Sequence, residues 1–261
     1  LKIDFYKYHG TGNDFILIDN RENKIDDYNP AIISKVCNRH TGIGADGLML
    51  LELHDEYDFR MVYFNSDGKQ SSMCGNGGRC IVAFANHLQI IKNECTFEAI
   101  DGIHHAKVDG NTIHLQMIDV KKILTQNADF EIYTGSPHYV RFEENTPDLN
   151  VNEEGKKIRN SEVYKIEGIN VNFVKQLSNN EIFVRTFERG VENETLSCGT
   201  GVTACALANA IKNGLKGSIN QKVNTPGGTL NVNFEFDNYQ AKNVWLLGPA
   251  VFVFKGEIDF E

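Results

Sequence analysis

A four-residue pattern, C-G-x-G, occurs twice, as Cys74-Gly75-Asn76-Gly77 and Cys198-Gly199-Thr200-Gly201, nearly half the 261-residue chain apart. Four matching residues alone carry little weight, but the flanks agree. Each copy follows an alternating apolar run, Phe59 to Phe64 and Ile182 to Phe187, the period of a half-buried strand. Each is followed by an apolar helical stretch, Cys80-Ile81-Val82-Ala83-Phe84-Ala85 in one case and Val202-Thr203-Ala204-Cys205-Ala206-Leu207-Ala208 in the other. Turn signals come next, Asp101-Gly102 and Gly227-Gly228, and then hairpins. One order of elements used twice confines the chain to two similar halves.

The expected fold is therefore α+β. It has two pseudo-symmetric halves, each a mainly antiparallel sheet wrapped around a central helix, with the active site in the cleft between them. Residues 1–118 carry Cys74 and residues 119–250 carry Cys198. In the first half, Asn29-Pro30 starts a helix whose inner stripe is Ile32, Ile33, Val36 and Cys37, and Gly42 stands where a C-terminal glycine belongs. Asp101-Gly102 and Asp109-Gly110 punctuate a meander through Ile103–Val108 and Thr112–Met117. Leu230–Phe236, Val244–Leu247 and Val251–Phe254 give strands of the second half, and the polar stretch Glu143–Asn160 reads as a loop or insertion.

Charge and cysteine usage narrow the chemistry. A formal net charge of −9 argues against nucleic acid or an anionic membrane held by general charge. No apolar run approaches the roughly 20 residues of a membrane span, and the N-terminus reads straight into a strand, so a soluble, cytoplasmic protein is expected. None of the six cysteines forms a C-x-x-C pair, so zinc ribbons and thioredoxin-like sites lose their signature and no metal site is expected. Cys37, Cys95 and Cys205 read as small buried hydrophobes. Gly42-Ile43-Gly44-Ala45-Asp46-Gly47 is a literal G-x-G-x-x-G, but a helix precedes it and a strand follows, the reverse of the dinucleotide fingerprint. His104 and His105 are neighbours in an expected strand, point to opposite faces and make a poor metal pair.

Each C-G-x-G lies between a strand and a helix, which places Cys74 and Cys198 at helix N-termini. Unpaired N–H groups and the helix dipole stabilise an anion there, which favours the thiolate. The glycines let backbone approach a ligand and leave N–H groups for a carboxylate. Two thiols so placed suit stereoinversion at carbon: one thiolate takes a proton from one face, and a thiol returns one to the other. Converging N–H groups stabilise the enolate-like charge that develops between the two steps.

The sequence resembles the diaminopimelate epimerase family. The likeness rests on Tyr8-His9-Gly10-Thr11-Gly12-Asn13-Asp14-Phe15, on Ser72 through Cys80, and on Phe187-Glu188-Arg189-Gly190 leading to Ser197-Cys198-Gly199-Thr200-Gly201. It continues to Gly248-Pro249-Ala250 and covers essentially the whole chain. The resemblance implies a cofactor-independent epimerase that interconverts LL- and meso-diaminopimelate in lysine and peptidoglycan precursor synthesis. It implies Cys74 and Cys198 as the acid/base pair, with Gly75, Asn76, Gly199 and Thr200 holding the carboxylate at the reacting centre. Asn13, Asn65, Asn170, Glu188 and Arg189 match positions that hold the substrate, chiefly its distant amino-acid end. His138 matches a histidine that tunes the thiols, with Glu188 its counterpart. The resemblance also implies a homodimer and a C-terminal strand, 251–261, that returns to the first half.

Ser136-Pro137-His138 stands where many members have asparagine before Pro-His, and Gly47 where some have a substrate-contacting glutamine. Proline and hydroxyproline racemases also use paired cysteines, but Asn76 stands where histidine is expected in that group. A thiol redox sensor would leave the glycine loops without a purpose.

Overall fold

The computed structural model describes residues 1–26 and 28–260. The chain divides into two units, residues 1–115 with 248–260 and residues 116–247.

The first unit contains strands β1 (Lys2–Gly10), β2 (Asn13–Asp19), β3 (Gly47–Glu52), β4 (Phe59–Asn65), β5 (Glu94–Ala99), β6 (Gly102–Asp109) and β7 (Thr112–Gln116). Helix α1 (Pro30–Cys37) lies between β2 and β3, and α2 (Gly75–His87) between β4 and β5. From β1 to β7, neighbouring strands pair antiparallel, parallel, antiparallel, parallel, antiparallel and antiparallel. Every residue of β3 is buried, because helices cover both faces of the sheet. Leu48 and Leu50 pack with Ile33 and Val36 of α1. Met49 points the other way and reaches Gly77 of α2, as the two-residue period of a strand requires.

The second unit repeats this plan. Its strands are β8 (Ile123–Gln126), β9 (Asp129–Tyr133), β10 (Pro137–Phe142), β11 (Asn170–Ser178), β12 (Glu181–Glu188), β13 (Asn193–Thr195), β14 (Gly217–Thr225), β15 (Gly228–Asp237) and β16 (Gln240–Pro249). From β9 through β10, β11, β12, β14 and β15 to β16 the pairings again run antiparallel, parallel, antiparallel, parallel, antiparallel and antiparallel. Strand β8 flanks β9, and the returning strand β17 (Val251–Asp259) flanks β1 in the same antiparallel sense. Glu261, at the end of the stretch expected to return, lies outside the described residues. Helix α4 (Gly199–Lys212) is the counterpart of α2 and packs on β9, β10, β11, β12, β14 and β15. Its Ala204, Ala206, Ala208 and Ala210 are fully buried, as befits a helix enclosed on all sides.

Three expectations need correction. Val251–Phe254 is not a strand of the second half: it lies in β17, which pairs with β1 of the first unit. Glu143–Asn160 is not a loop: it contains α3 (Val151–Arg159), the counterpart of α1. Its charges sit at the ends a helix favours, Glu153 and Glu154 in the first turn and Lys156, Lys157 and Arg159 in the last. Val151 and Ile158 pack on Val171, Phe173 and Phe187, and a buried phenylalanine contributes about 1.5–3 kcal/mol. A Cβ at Gly155 would stand 2.4 Å from that of Phe187, so only glycine admits this close approach. The second unit thus has, like the first, an outer helix beside the enclosed one. Gly42 does not end α1, which stops at Cys37. It folds back over the helix end instead, where a Cβ would stand 2.2 Å from the Lys35 carbonyl oxygen.

Candidate active site

Register makes the two units comparable residue by residue. In unit 1, Leu48 faces Phe64 and Gly47 faces Asn65. In unit 2, Val171 faces Phe187 at the same point of the pattern. One step further along, Asn170 corresponds to Gly47 and Glu188 to Asn65. A Cβ at Gly47 would meet the Phe64 carbonyl oxygen at 2.5 Å, so this backbone leaves no room for a longer side chain such as glutamine.

Cys74 is the N-cap of α2, with extended φ −105° and ψ 152°, and its Sγ accepts the Gly77 N–H at 3.2 Å. A Cβ on Gly77 would sit 3.2 Å from that sulfur, so the glycine keeps the cap open. Asn76 is buried beneath the turn. Its Oδ1 accepts from Thr11 Oγ1 at 3.3 Å and Arg79 Nη2 at 3.0 Å, while its Nδ2 donates to Asn13 Oδ1 at 3.3 Å. Asn13 Nδ2 in turn donates to Asp46 Oδ2 at 2.6 Å. Behind it, Asp14 pairs with Lys7 at 2.7 Å and with Arg39 at 2.6 Å. Burial would raise the Asp14 pKa, yet hydrogen bonds and charge from Arg39 and Lys7 hold its carboxyl well below the usual range. Asn13, Gly75, Asn76 and Cys74 therefore form one connected cluster. Asn65, exposed at the end of β4, is fixed through its backbone by Lys69 and Gly68.

Cys198 caps α4 without a side-chain bond to the helix backbone. Its Sγ lies 3.5 Å from Thr200 Oγ1, which lies 2.9 Å from His138 Nε2. Asn172 orients this chain. Thr186 Oγ1 donates to Asn172 Oδ1 at 2.9 Å, which leaves Asn172 Nδ2 to donate to Tyr139 O at 2.9 Å and to His138 Nδ1 at 3.2 Å. His138 Nδ1 is thus the acceptor and its Nε2 carries the proton, donated to Thr200, whose own hydroxyl proton faces Cys198. His138 is fully buried, and burial, aided by the charge of Arg189, pushes its pKa down to about 3. It acts as a neutral donor at the head of a relay rather than as a cation. Gly201 makes room for the relay: a Cβ there would stand 2.5 Å from Asn172 Oδ1.

Asn170 donates to Ser136 Oγ at 2.8 Å and Pro137 O at 3.0 Å and accepts the Arg189 backbone N–H at 2.9 Å. Ser136, the departure from asparagine, is thus a working acceptor. Glu188 Oε2 accepts from Thr195 Oγ1 at 2.9 Å, and Arg189, exposed, donates from Nη1 to Glu167 O at 2.9 Å. The threonines of the two turns preceding β2 and β10 brace the glycine loops alike: Thr11 holds Asn76, and Thr134 Oγ1 donates to Thr200 O at 2.8 Å. Sequence reading passed over Thr11, Thr134, Asn172 and Arg79. Only Arg79 left a signal, as a cation inside an otherwise uncharged helical run. The other thiols are held protonated. Burial pushes Cys37 and Cys95 up to about 12 and also raises Cys80 and Cys205.

Comparison with known proteins agrees with this picture. The family model for diaminopimelate epimerase matches residues 5–123 and 130–253. The diaminopimelate epimerase of Flavobacterium psychrophilum is 53% identical over 254 residues, covering 97% of this chain and 99% of that protein. The diaminopimelate epimerase of Aquifex aeolicus is 39% identical over 99% of each. Among solved structures, the fold is shared with a phenazine biosynthesis protein of the PhzF family from Bacillus anthracis, at a TM-score of 0.73, 15% identity and 99% coverage of both chains. It is also shared with a hydroxyproline epimerase from Agrobacterium vitis, at a TM-score of 0.69, 13% identity and 98% and 92% coverage. With near full-length relatives at these identities, the chain belongs to the diaminopimelate epimerase family.

Proposed function

We propose that this enzyme interconverts LL- and meso-diaminopimelate without a cofactor, in the supply of lysine and peptidoglycan precursors, and that it works in the cytoplasm. The observation that carries the reading is the pair of cysteines at the N-caps of the two enclosed helices, each on a glycine loop at the same place in a repeated sheet.

The residues 1–118 with 251–261 supply one catalytic group, Cys74, and residues 119–250 supply the other, Cys198. One sulfur, as thiolate, takes the α-proton: the C–H bond breaks, an S–H bond forms, and the electron pair delocalises into the α-carboxylate. The other cysteine's S–H bond then breaks and its proton forms a C–H bond on the opposite face. The two cysteines finish with exchanged protonation states, so the enzyme is poised for the reverse direction. First-turn N–H groups at Gly75 and Asn76, and at Gly199 and Thr200, bind the carboxylate whose charge grows in the intermediate. His138 steadies the Cys198 end through Thr200. Asn13, Asn65, Asn170, Glu188 and Arg189 recognise the substrate, the last two suited by charge to its distant amino and carboxyl groups.

Incubation with LL-diaminopimelate in deuterated water, with no cofactor added, tests the reading. One deuterium enters at one α-carbon as its configuration inverts. A strict pyridoxal phosphate requirement, or inversion without solvent label, overturns it. We also propose a homodimer. Val251, Phe252, Val253 and Phe254 of β17 keep 42%, 42%, 50% and 44% of their surface exposed, an apolar run that a second copy would cover. Sedimentation of the protein and of a Val253→Asp variant checks this: the first runs as a dimer and the second as a monomer.

A further inference from the structure

Arg79 is fully buried, yet its guanidinium meets only neutral acceptors. Nη1 donates to Gly75 O at 2.9 Å, Nη2 to Asn76 Oδ1 at 3.0 Å and Thr11 Oγ1 at 3.3 Å, and Nε to Pro249 O at 3.4 Å. Among the described residues no carboxylate forms an ion pair with it. Burying a cation without an anion is costly, and a neutral side chain would fill the space more cheaply. Such a charge persists where an anion comes and goes. The groups it holds are the first two residues of α2 and the turn that braces them, the loop that presents Cys74. Counting the same number of residues from Cys198 reaches Thr203, whose hydroxyl merely donates to Gly199 O at 3.0 Å. At this matching place the Cys74 loop has a buried guanidinium and the Cys198 loop a neutral hydroxyl.

We propose that Arg79 is a positioning residue whose standing charge makes Cys74, rather than Cys198, the thiolate of the unliganded enzyme. The helix dipole is common to both cysteines and cannot choose between them. A guanidinium can: it is pulled down to about 10 by burial and so stays charged at neutral pH, and it attracts a thiolate at Cys80 and, next, at Cys74; burial keeps the Cys80 thiol protonated, which leaves Cys74 to carry the charge. At Cys198 the corresponding help is a neutral donor chain from His138, which orients the sulfur without adding net charge. The same cation favours an α-carboxylate arriving at the α2 end. The inference rests on Cys74 being one of the acid/base pair, but its test uses no substrate and so fails or stands separately from that assignment.

The test is the pH dependence of iodoacetamide alkylation at both cysteines in the unliganded protein, read by peptide mass spectrometry. The midpoint for Cys74 lies below that for Cys198 in the unmodified enzyme. If Cys198 titrates at or below Cys74, the proposal is wrong whatever the variants do. In Arg79→Met, with an unchanged near-ultraviolet circular dichroism spectrum, the Cys74 midpoint rises by about one pH unit or more while Cys198 holds. Arg79→Lys, which keeps the charge and loses the fork, returns much of that shift. A Cys74 curve unmoved in Arg79→Met, or both curves moving together, would show that the arginine only supports the loop.

Discussion

Each half presents a cysteine at the mouth of an enclosed helix, but the two mouths are finished differently. Cys74 is tied to its own helix by the Gly77 N–H and backed by a buried guanidinium. Cys198 makes no such bond and is reached instead through Thr200, by a line of hydrogen bonds that runs from Asn172 through a neutral histidine. Shared architecture gives both thiols a dipole and first-turn N–H groups. The unlike surroundings give one a charge and the other a directed donor. For a reaction that begins and ends with one cysteine protonated and the other not, duplication supplies the pair and divergence supplies the difference.

The comparison breaks most sharply if the two cysteines are not equally needed. Cys74→Ala and Cys198→Ala should each lower kcat/KM for diaminopimelate by about 10²–10⁴-fold or more, because general acid and base are both removed from the cycle. Cys37→Ala and Cys95→Ala should leave it within a few-fold. A folded Cys198→Ala enzyme with near-normal turnover would end the two-base assignment.

Next in size is the contrast between Gly201→Ala and Gly77→Ala. The first drives a methyl to 2.5 Å from the Asn172 amide oxygen, a group locked by Thr186 and Tyr139. The second meets the Met49 methyl at 2.4 Å, the loose end of a flexible side chain. Overpacking costs about 1–3 kcal/mol, and Gly201→Ala belongs at the upper end and Gly77→Ala at the lower. Urea unfolding of both variants decides it, and equal losses would mean that the Cys198 end is no more rigid than the other.

The neutral, fully buried histidine of the second half makes a pH prediction. His138 has a folded pKa of about 3 against 6.5 as the ordinary value. As pH falls below 6.5 the unfolded chain takes the proton first, so stability drops by up to about 1.4 kcal/mol per unit until pH 3. Between pH 7 and pH 5, His138→Gln should therefore lose about 2 kcal/mol less than the unmodified protein. Parallel stability curves would show that the imidazole is charged in place.

The smallest expected effect concerns the outer helices. Asn29 Oδ1 accepts the Ala31 N–H at 2.9 Å at the start of α1, and Asn150 Oδ1 the Glu153 N–H at 3.3 Å at the start of α3. Alanine at either position should cost about 1 kcal/mol, with little change in turnover. A loss of activity at one alone would separate the roles of these two helices.

The repeat in the glycine loops exposed the fold because backbone geometry leaves a local mark: glycines, turn dipeptides and alternating apolar residues stand next to what they shape. Helix α3 was hidden because Val151, Gly155 and Ile158 are spaced for burial but sit among lysines and glutamates. Its counterpart, marked by Asn29-Pro30, was the better guide to its existence. The two cysteines were legible from the loops alone. Asn13, Asn65, Asn170, Glu188 and Arg189 had no local mark and came only through resemblance. The finish of each site was not legible, because Asn172 and Arg79 act through partners that only the folded sheet brings near. Whether His138 is a charge or a donor depends on burial and on which way one amide faces, and no spacing encodes either.

The return of β17 to β1 has a consequence for synthesis of the chain. Lys2 to His9 find their ladder partners between Val251 and Asp259, beyond the whole of the second unit in sequence. The second unit is a continuous segment and can complete its sheet as soon as it has left the ribosome. The first unit, although begun earlier, keeps one side of β1 open until β17 emerges, a delay imposed by its long-range pairing. Of the two halves, the one whose synthesis begins earlier is therefore the one that finishes later, and through that interval Tyr6 and Tyr8 wait for the Phe252 ring that will cover them.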